Sequence, residues 1–144
     1  MLTQLTEFAT NHAFLAVAFA ALLILTFLNE MKLATQRFTT LTAAGAVQLM
    51  NSEEDNMLLL DVREPGETAT GKIAKAVQIP VSSIDKRVSE LEKHRSKHVI
   101  VYCKNGTRSA IACKALDKAG FEHVYNLNGG LAGWLEDHLP LSKK

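Results

Sequence analysis

Cysteine is scarce in this chain, and the scarcity excludes two constructions at once. Cys103 and Cys113 are the only two in 144 residues, too few for a disulfide framework, and no Cys or His spacing has the form of a zinc site. Excess charge is missing as well. Sixteen Lys and Arg against 15 Asp and Glu leave a net charge of +1, without the basic stripe that would hold nucleic acid. Internal repeats and low-complexity tracts are absent. His94, His98, His123 and His138 are scattered, with no carboxylate or cysteine at an informative spacing, so no general base stands out. Lys and Arg are also missing from Met1 to His12, which instead contains Glu7; a cleaved signal peptide would open with positive charge.

What the N-terminal part does have is an apolar run. Ala13 to Leu28 is sixteen residues long and interrupted only by Thr26. Sixteen helical residues reach about 24 Å, short of a hydrocarbon core of roughly 30 Å. Extending back to Phe8 gives twenty-one residues and about 31 Å, enough to cross. The core helix of a soluble protein would carry a polar face, and this segment has none beyond Thr26. The expected organisation is an N-terminal membrane anchor over residues 1–33, with its helix at about 8–28, a juxtamembrane linker at 34–40, and one folded domain at 41–144. The nearby cations, Lys32 and Arg37, follow the run, so the positive-inside rule places the C-terminal side in the cytoplasm.

The remaining residues suffice for a single core, and strand and helix signals alternate along them. Thr42 caps a helix from Ala43 to Met50. Met57 to Val62 reads as a strand, Val77 to Ile79 as a second, Val99 to Tyr102 as a third and His123 to Asn126 as a fourth. Between them lie a helix beginning at Ser82 or Ser83 and running through Val88 and Leu91, and another from Thr107 to Ala119 that ends at Gly120. Leu131 to Leu135 begins a last helix. Apolar strands alternating with helices predict an α/β fold, a parallel sheet covered on both faces. Such sheets bind ligands beyond the carboxyl ends of their strands, which is where Cys103 falls.

Cys103-Lys104-Asn105-Gly106-Thr107-Arg108-Ser109 is the segment richest in chemistry. A β-branched run delivers a cysteine into a short polar loop that closes on arginine and hydroxyl residues at a helix start. A thiol so placed loses its proton more readily, from about 8.5 down to roughly 3.5–7.5, and the amides that stabilise a thiolate also receive an anionic substrate. Gly106 supplies a turn that a side chain would hinder. Thr107 and Ser109 are suited to cap the helix or to donate to sulfur. Lys104 offers a point charge and Arg108 a fork. Asp61 and Arg63, at another strand end, read as a structural ion pair near the site, Cys113 as a small core residue, and Trp134 as core.

Four residues separate Cys103 from Arg108, one fewer than in the wider cradle of cysteine phosphatases. With that loop the chain resembles the rhodanese (thiosulfate sulfurtransferase) family, whose pattern is cysteine–basic–x–glycine–x–arginine–serine/threonine. Three further stretches carry the resemblance: Asp61-Val62-Arg63-Glu64, Gly71-Lys72-Ile73-Ala74-Lys75-Ala76-Val77-Gln78-Ile79-Pro80, and Tyr125-Asn126-Leu127-Asn128-Gly129-Gly130 with Trp134. The second departs from the family at Lys72 and Ala74, where histidine and proline are usual. The resemblance implies a rhodanese-like fold and a sulfurtransferase that needs neither metal nor cofactor. Cys103 would be the nucleophile carrying a persulfide, and Lys104, Asn105, Gly106, Thr107, Arg108 and Ser109 would form the substrate cradle. The partners implied are a small anionic sulfur donor such as thiosulfate and a thiol, protein or cyanide acceptor. With the anchor, the expected setting is a bacterial inner membrane, crossed once, with the domain in the cytoplasm. The alternatives are a membrane-anchored binding module with little turnover and, less compatible with the short loop, a phosphatase or arsenate reductase.

Overall fold

The structure, a computed structural model, describes residues 11–34 and 37–143. The chain divides into two units, Met1–Gln36 and Arg37–Lys144.

In the first unit helix α1 covers Ala13–Ala34, 22 residues, or about 33 Å. It is apolar on all sides, with Phe14, Leu25 and Phe27 exposed, and its one internal hydroxyl, Thr26 Oγ1, donates back to Leu23 O at 2.9 Å. Residues 13–31 are apolar and long enough to cross a membrane. The expected start at Phe8 lies outside the described residues. At the other end α1 runs six residues past Leu28, because Glu30, Met31, Lys32, Leu33 and Ala34 are good helix formers with no Gly or Pro to stop them.

The second unit is a five-stranded parallel sheet, in the order β1-β5-β4-β2-β3. The strands are β1 (Thr39–Leu41), β2 (Met57–Asp61), β3 (Val77–Gln78), β4 (His98–Tyr102) and β5 (His123–Leu127). The helices are α2 (Ala43–Ser52), α3 (Pro65–Thr68), α4 (Ile84–Arg87), α5 (Thr107–Lys118) and α6 (Gly130–Glu136). Helices cover both faces, as the alternating pattern implied. Thr42 caps α2 by accepting from the Gly45 amide at 3.1 Å, an interaction worth about 1 kcal/mol.

Two expectations need correction. The linker proposed for residues 34–40 overlaps α1 at Ala34 and β1 at Thr39 and Thr40, while residues 35 and 36 lie outside the described residues. The three-residue β1 has little local signal; it exists because Thr39–Leu41 pairs in register with Tyr125–Leu127, more than eighty positions along the chain. The single helix expected after Pro80 is instead a chain of short turns: Val81–Ser83 and Val88–His94 are 3-10, with α4 between them. Side chains three apart eclipse in a 3-10 helix, and the segment's ion pairs have that spacing, Arg87 with Glu90 at 2.8 Å and Glu92 with Arg95 at 2.9 Å.

Strand periodicity then decides where the sulfur goes. Val99, Val101 and Cys103 belong to the cluster packed against Ala112, Cys113 and Leu116 of α5. Ile100 and Tyr102 face the opposite cluster, with Leu131 and Trp134 of α6. Alternation at period two therefore sets Cys103 against the start of α5. The neighbouring strand end lies level with it, Asp61 being in register with Tyr102. Of the two departures from the family pattern, Lys72 is held by hydrogen bonds of its own. Lys72 exchanges both backbone hydrogen bonds with Ser142, at 3.2 and 2.8 Å, and its Nζ donates to Ala76 O at 3.1 Å.

Candidate active site

Cys103 is the first residue past β4, and its sulfur is buried where the chain turns into α5. The turn is made at Gly106, whose φ of 94° lies in the left-handed region that side chains disfavour. This brings the Gly106 amide to 3.1 Å from Cys103 Sγ. Asn105 Oδ1 accepts from the Thr107 amide at 3.2 Å and stands 3.8 Å from the sulfur. Ser109, fully buried in the first turn of α5, places Oγ 3.5 Å from the sulfur. Burial alone would push the thiol upward, but hydrogen bonds from the Ser109 hydroxyl and from the amides of Ser109, Asn105 and Gly106 outweigh it, so the Cys103 pKa is lowered. Cys113 differs: burial, with the negative charge at Cys103, pushes its thiol well up. Of the two cysteines only Cys103 has surroundings that favour its thiolate.

The floor of the loop comes from a part of the sequence to which no role had been given. Gly129 and Gly130, both at positive φ, let the first amides of α6 reach the loop carbonyls. Leu131 N donates to Cys103 O at 2.8 Å and Ala132 N to Lys104 O at 3.0 Å. Helix-end amides lack partners within their own helix; here the loop satisfies them. Asn126, in β5, closes the other side, donating from Nδ2 to Gly106 O at 3.2 Å and accepting from Ser109 Oγ at 2.6 Å. A buried Asn inside a strand is unusual, and that was the signal available for it in the sequence.

Arg108 does not stand free at the site mouth. It forms a fork-to-fork pair with Glu67 of α3, at 2.6 and 2.7 Å. Glu67, a second residue missed by sequence reasoning, is held down to about 2 by that hydrogen bond and by the Glu64 amide. The Lys104 ammonium makes no ion pair among the described residues. It lines a groove of about 360 Å³ together with Glu67, Thr70, Leu131, Ala132 and Leu135. Asp61 and Arg63 pair at 2.7 Å, both almost completely buried, and Arg63 also donates to Glu67 O at 3.1 Å and Gly71 O at 2.8 Å. That pair therefore fixes the segment that carries Glu67. Among the described residues no three His, Cys, Asp or Glu side chains gather as a metal site.

The Glu67–Arg108 clamp predicts an acid dependence. A carboxyl lowered to about 2 in the folded protein, from 4.5 otherwise, contributes its stability in full above about pH 4.5 and loses it as the pH falls toward 2. Both side chains are about one-third exposed, so the pair is worth about 1 kcal/mol at most. Glu67→Gln is expected to lower stability by up to that amount at pH 6 and by much less at pH 2. Urea unfolding at the two pH values checks this; an equal gap at both would rule the clamp out.

Residues 42–137 match the family described as the rhodanese-like domain. The uncharacterized protein YibN of Escherichia coli K12 is 34% identical over 139 residues, 96% of each chain. A protein named sulfurtransferase from Allochromatium vinosum is 40% identical over 90 residues, covering 62% of this chain and 82% of that one. Among solved structures, the rhodanese-related protein of Thermoplasma volcanium superposes with a TM-score of 0.64 at 32% identity, over 74% of this chain and all (100%) of that one.

Proposed function

This chain belongs to the rhodanese-like family, and from that premise we propose that it is a sulfurtransferase working through a persulfide on Cys103. The observation that carries the reading is the buried Sγ receiving the Gly106 amide at 3.1 Å, in a loop whose neighbouring donors favour the thiolate. The Cys103 thiolate attacks the outer sulfur of thiosulfate; the donor's S–S bond breaks and its electron pair leaves with sulfite. The new Cys–S–S⁻ carries the negative charge one atom outward, toward the loop amides. An acceptor thiolate or cyanide then attacks the outer sulfur, the persulfide bond breaks, and the Cys103 thiolate returns. Two half-reactions of this kind give ping-pong kinetics. Preorganised amides are the main source of catalysis here, each worth a hundredfold or more in comparable sites.

Lys104 is the cation available to draw in the anionic donor. Arg108, bound to Glu67, serves first to hold the closing end of the loop. The short loop supports sulfur over phosphate chemistry, since it surrounds one atom closely. The relative named a sulfurtransferase supports the same class of reaction. We further propose that α1 anchors the protein in a bacterial inner membrane with the domain in the cytoplasm, where a membrane-bound acceptor would be within reach. Digestion of the domain in inverted but not in intact vesicles supports that orientation, and the reverse pattern removes it.

The reading is tested by incubating the reduced full-length protein in detergent with thiosulfate and measuring its intact mass. Wild type and Cys113→Ala are expected to gain one sulfur, and Cys103→Ala none. Folded wild-type protein that gains no sulfur would overturn the enzyme reading and leave a membrane-anchored binding module.

A further inference from the structure

The Ser109 hydroxyl has one proton and two claimants. Asn126 Oδ1 lies 2.6 Å from Ser109 Oγ, and Cys103 Sγ lies 3.5 Å from it. The orientation of the Asn126 amide is not free. Its other end meets Gly106 O at 3.2 Å, a carbonyl that only accepts, so Nδ2 faces Gly106 and Oδ1 must face Ser109. Ser109 is fully buried and Asn126 is 8% exposed, so solvent does not compete for either group. With its proton on Asn126, Ser109 turns lone pairs toward the sulfur, an arrangement suited to a neutral S–H that donates to Oγ. A sulfur anion instead requires the hydroxyl to swing round and donate, which leaves Asn126 Oδ1 without its partner.

We propose that Asn126 is a positioning residue for the sulfur chemistry: it holds the Ser109 proton in the resting protein and yields it to Cys103 only when the sulfur is anionic. The proposal rests on the reading of Cys103 as the nucleophile. Its consequence is a thiol less acidic than the loop would otherwise make it, because ionisation costs the Ser109–Asn126 hydrogen bond. The thiolate, once formed, then has the hydroxyl proton available. Gly106 is tied into this arrangement at both ends, its N–H on the sulfur and its C=O on Asn126.

The other ionisable groups around the sulfur come from each neighbouring element. The loop supplies Lys104. Helix α5 supplies Arg108, whose charge is felt at Cys103 and is matched by Glu67 of α3, and also Cys113. Beyond them lies the Asp61–Arg63 pair at the end of β2, while Gly129 and Gly130 carry no ionisable group. All of these stay in place when Asn126 is changed, so they form a constant background.

The test is the pH profile of Cys103 alkylation by iodoacetamide in the full-length protein, followed by mass on the Cys103 peptide. Asn126→Val removes the competing acceptor and is expected to lower the midpoint by about one pH unit. Ser109→Ala is expected to raise it, and in the Ser109→Ala background Asn126→Val should no longer lower it. A midpoint that rises or stays in Asn126→Val, or the same downward shift without the Ser109 hydroxyl, overturns the proposal. If Asn126→Val does not fold, Asn126→Asp keeps the shape and strengthens the acceptor. It should raise the midpoint, and by less when Ser109 is alanine; an equal rise in both backgrounds overturns the proposal. Sulfur loading plays no part in this titration, so a protein that took no sulfur from thiosulfate would still report on Asn126.

Discussion

Gly130→Ala is expected to abolish measurable sulfur loading and to lower the stability of the domain by about 2–5 kcal/mol. A methyl group at this position would lie 2.5 Å from Cys103 O and 2.8 Å from the amides of both Asn105 and Gly106. All three are backbone atoms of the reactive loop, so no flexible side chain is available to move aside. The residue also has a φ of 56°, a conformation that costs an L-residue about 1–2 kcal/mol. To relieve the clash the loop must lift away from α6, giving up the bonds from Leu131 N and Ala132 N. The Gly106 amide would then move off the sulfur, and loss of one such donor costs on the order of a hundredfold. Gly66→Ala is the control, because an added methyl there meets nothing within 4 Å and sits in a helix turn that favours alanine. Urea melts and the initial rate of persulfide formation report the two effects. A Gly130→Ala protein that loads sulfur at more than a tenth of the wild-type rate would show that α6 does not hold the loop.

Arg63→Leu should destabilise the protein by about 3–5 kcal/mol, the usual cost of stranding one partner of a buried ion pair. Arg63 gives Asp61 three side-chain hydrogen bonds between 2.7 and 3.0 Å. Its removal leaves the carboxylate with the residue-63 backbone amide at 3.0 Å and the Tyr102 hydroxyl. The carbonyls of Glu67 and Gly71 lose a donor at the same time. The damage reaches the site through the same segment, since Glu67 is the partner of Arg108. Arg63→Lys retains the charge but not the fork, and an intermediate loss is expected. Replacing both partners, as Asp61→Leu with Arg63→Leu, should be less harmful than Arg63→Leu alone, because no charge is then left buried. Equilibrium unfolding of the three variants separates these outcomes. If Arg63→Leu came within about 1 kcal/mol of wild type, the pair could not be what fixes residues 61–71.

The sequence by itself determined the class of fold and the place of Cys103 in it. Apolar strands alternating with helix signals leave a parallel sheet covered on both faces as the economical solution. A cysteine at the end of the Val99–Tyr102 run must then arrive at the carboxyl edge, beside a helix start. Those are local consequences of periodicity and turn chemistry, and they need no knowledge of distant contacts. The N-terminal helix was equally legible, because length and apolarity are properties of a contiguous segment.

Tertiary structure decided what surrounds the sulfur. Glu67 lies 41 positions before Arg108, and nothing along the chain distinguishes an arginine aimed at a substrate from one clasped by a carboxylate. Asn126 lies 17 positions after Ser109, yet strand and helix packing bring the two within 2.6 Å. The Gly129–Gly130 pair could be seen as a motif, but its reason is the closeness of another backbone, 2.5 Å from where a methyl would be. Strand β1 was overlooked for the same cause: three residues carry too little pattern, and it is the ladder to Tyr125–Leu127 that makes them a strand. Periodicity and turn chemistry act between neighbours and are written locally. Hydrogen bonds, ion pairs and close backbone approach depend on separations in space, which only the folded chain sets.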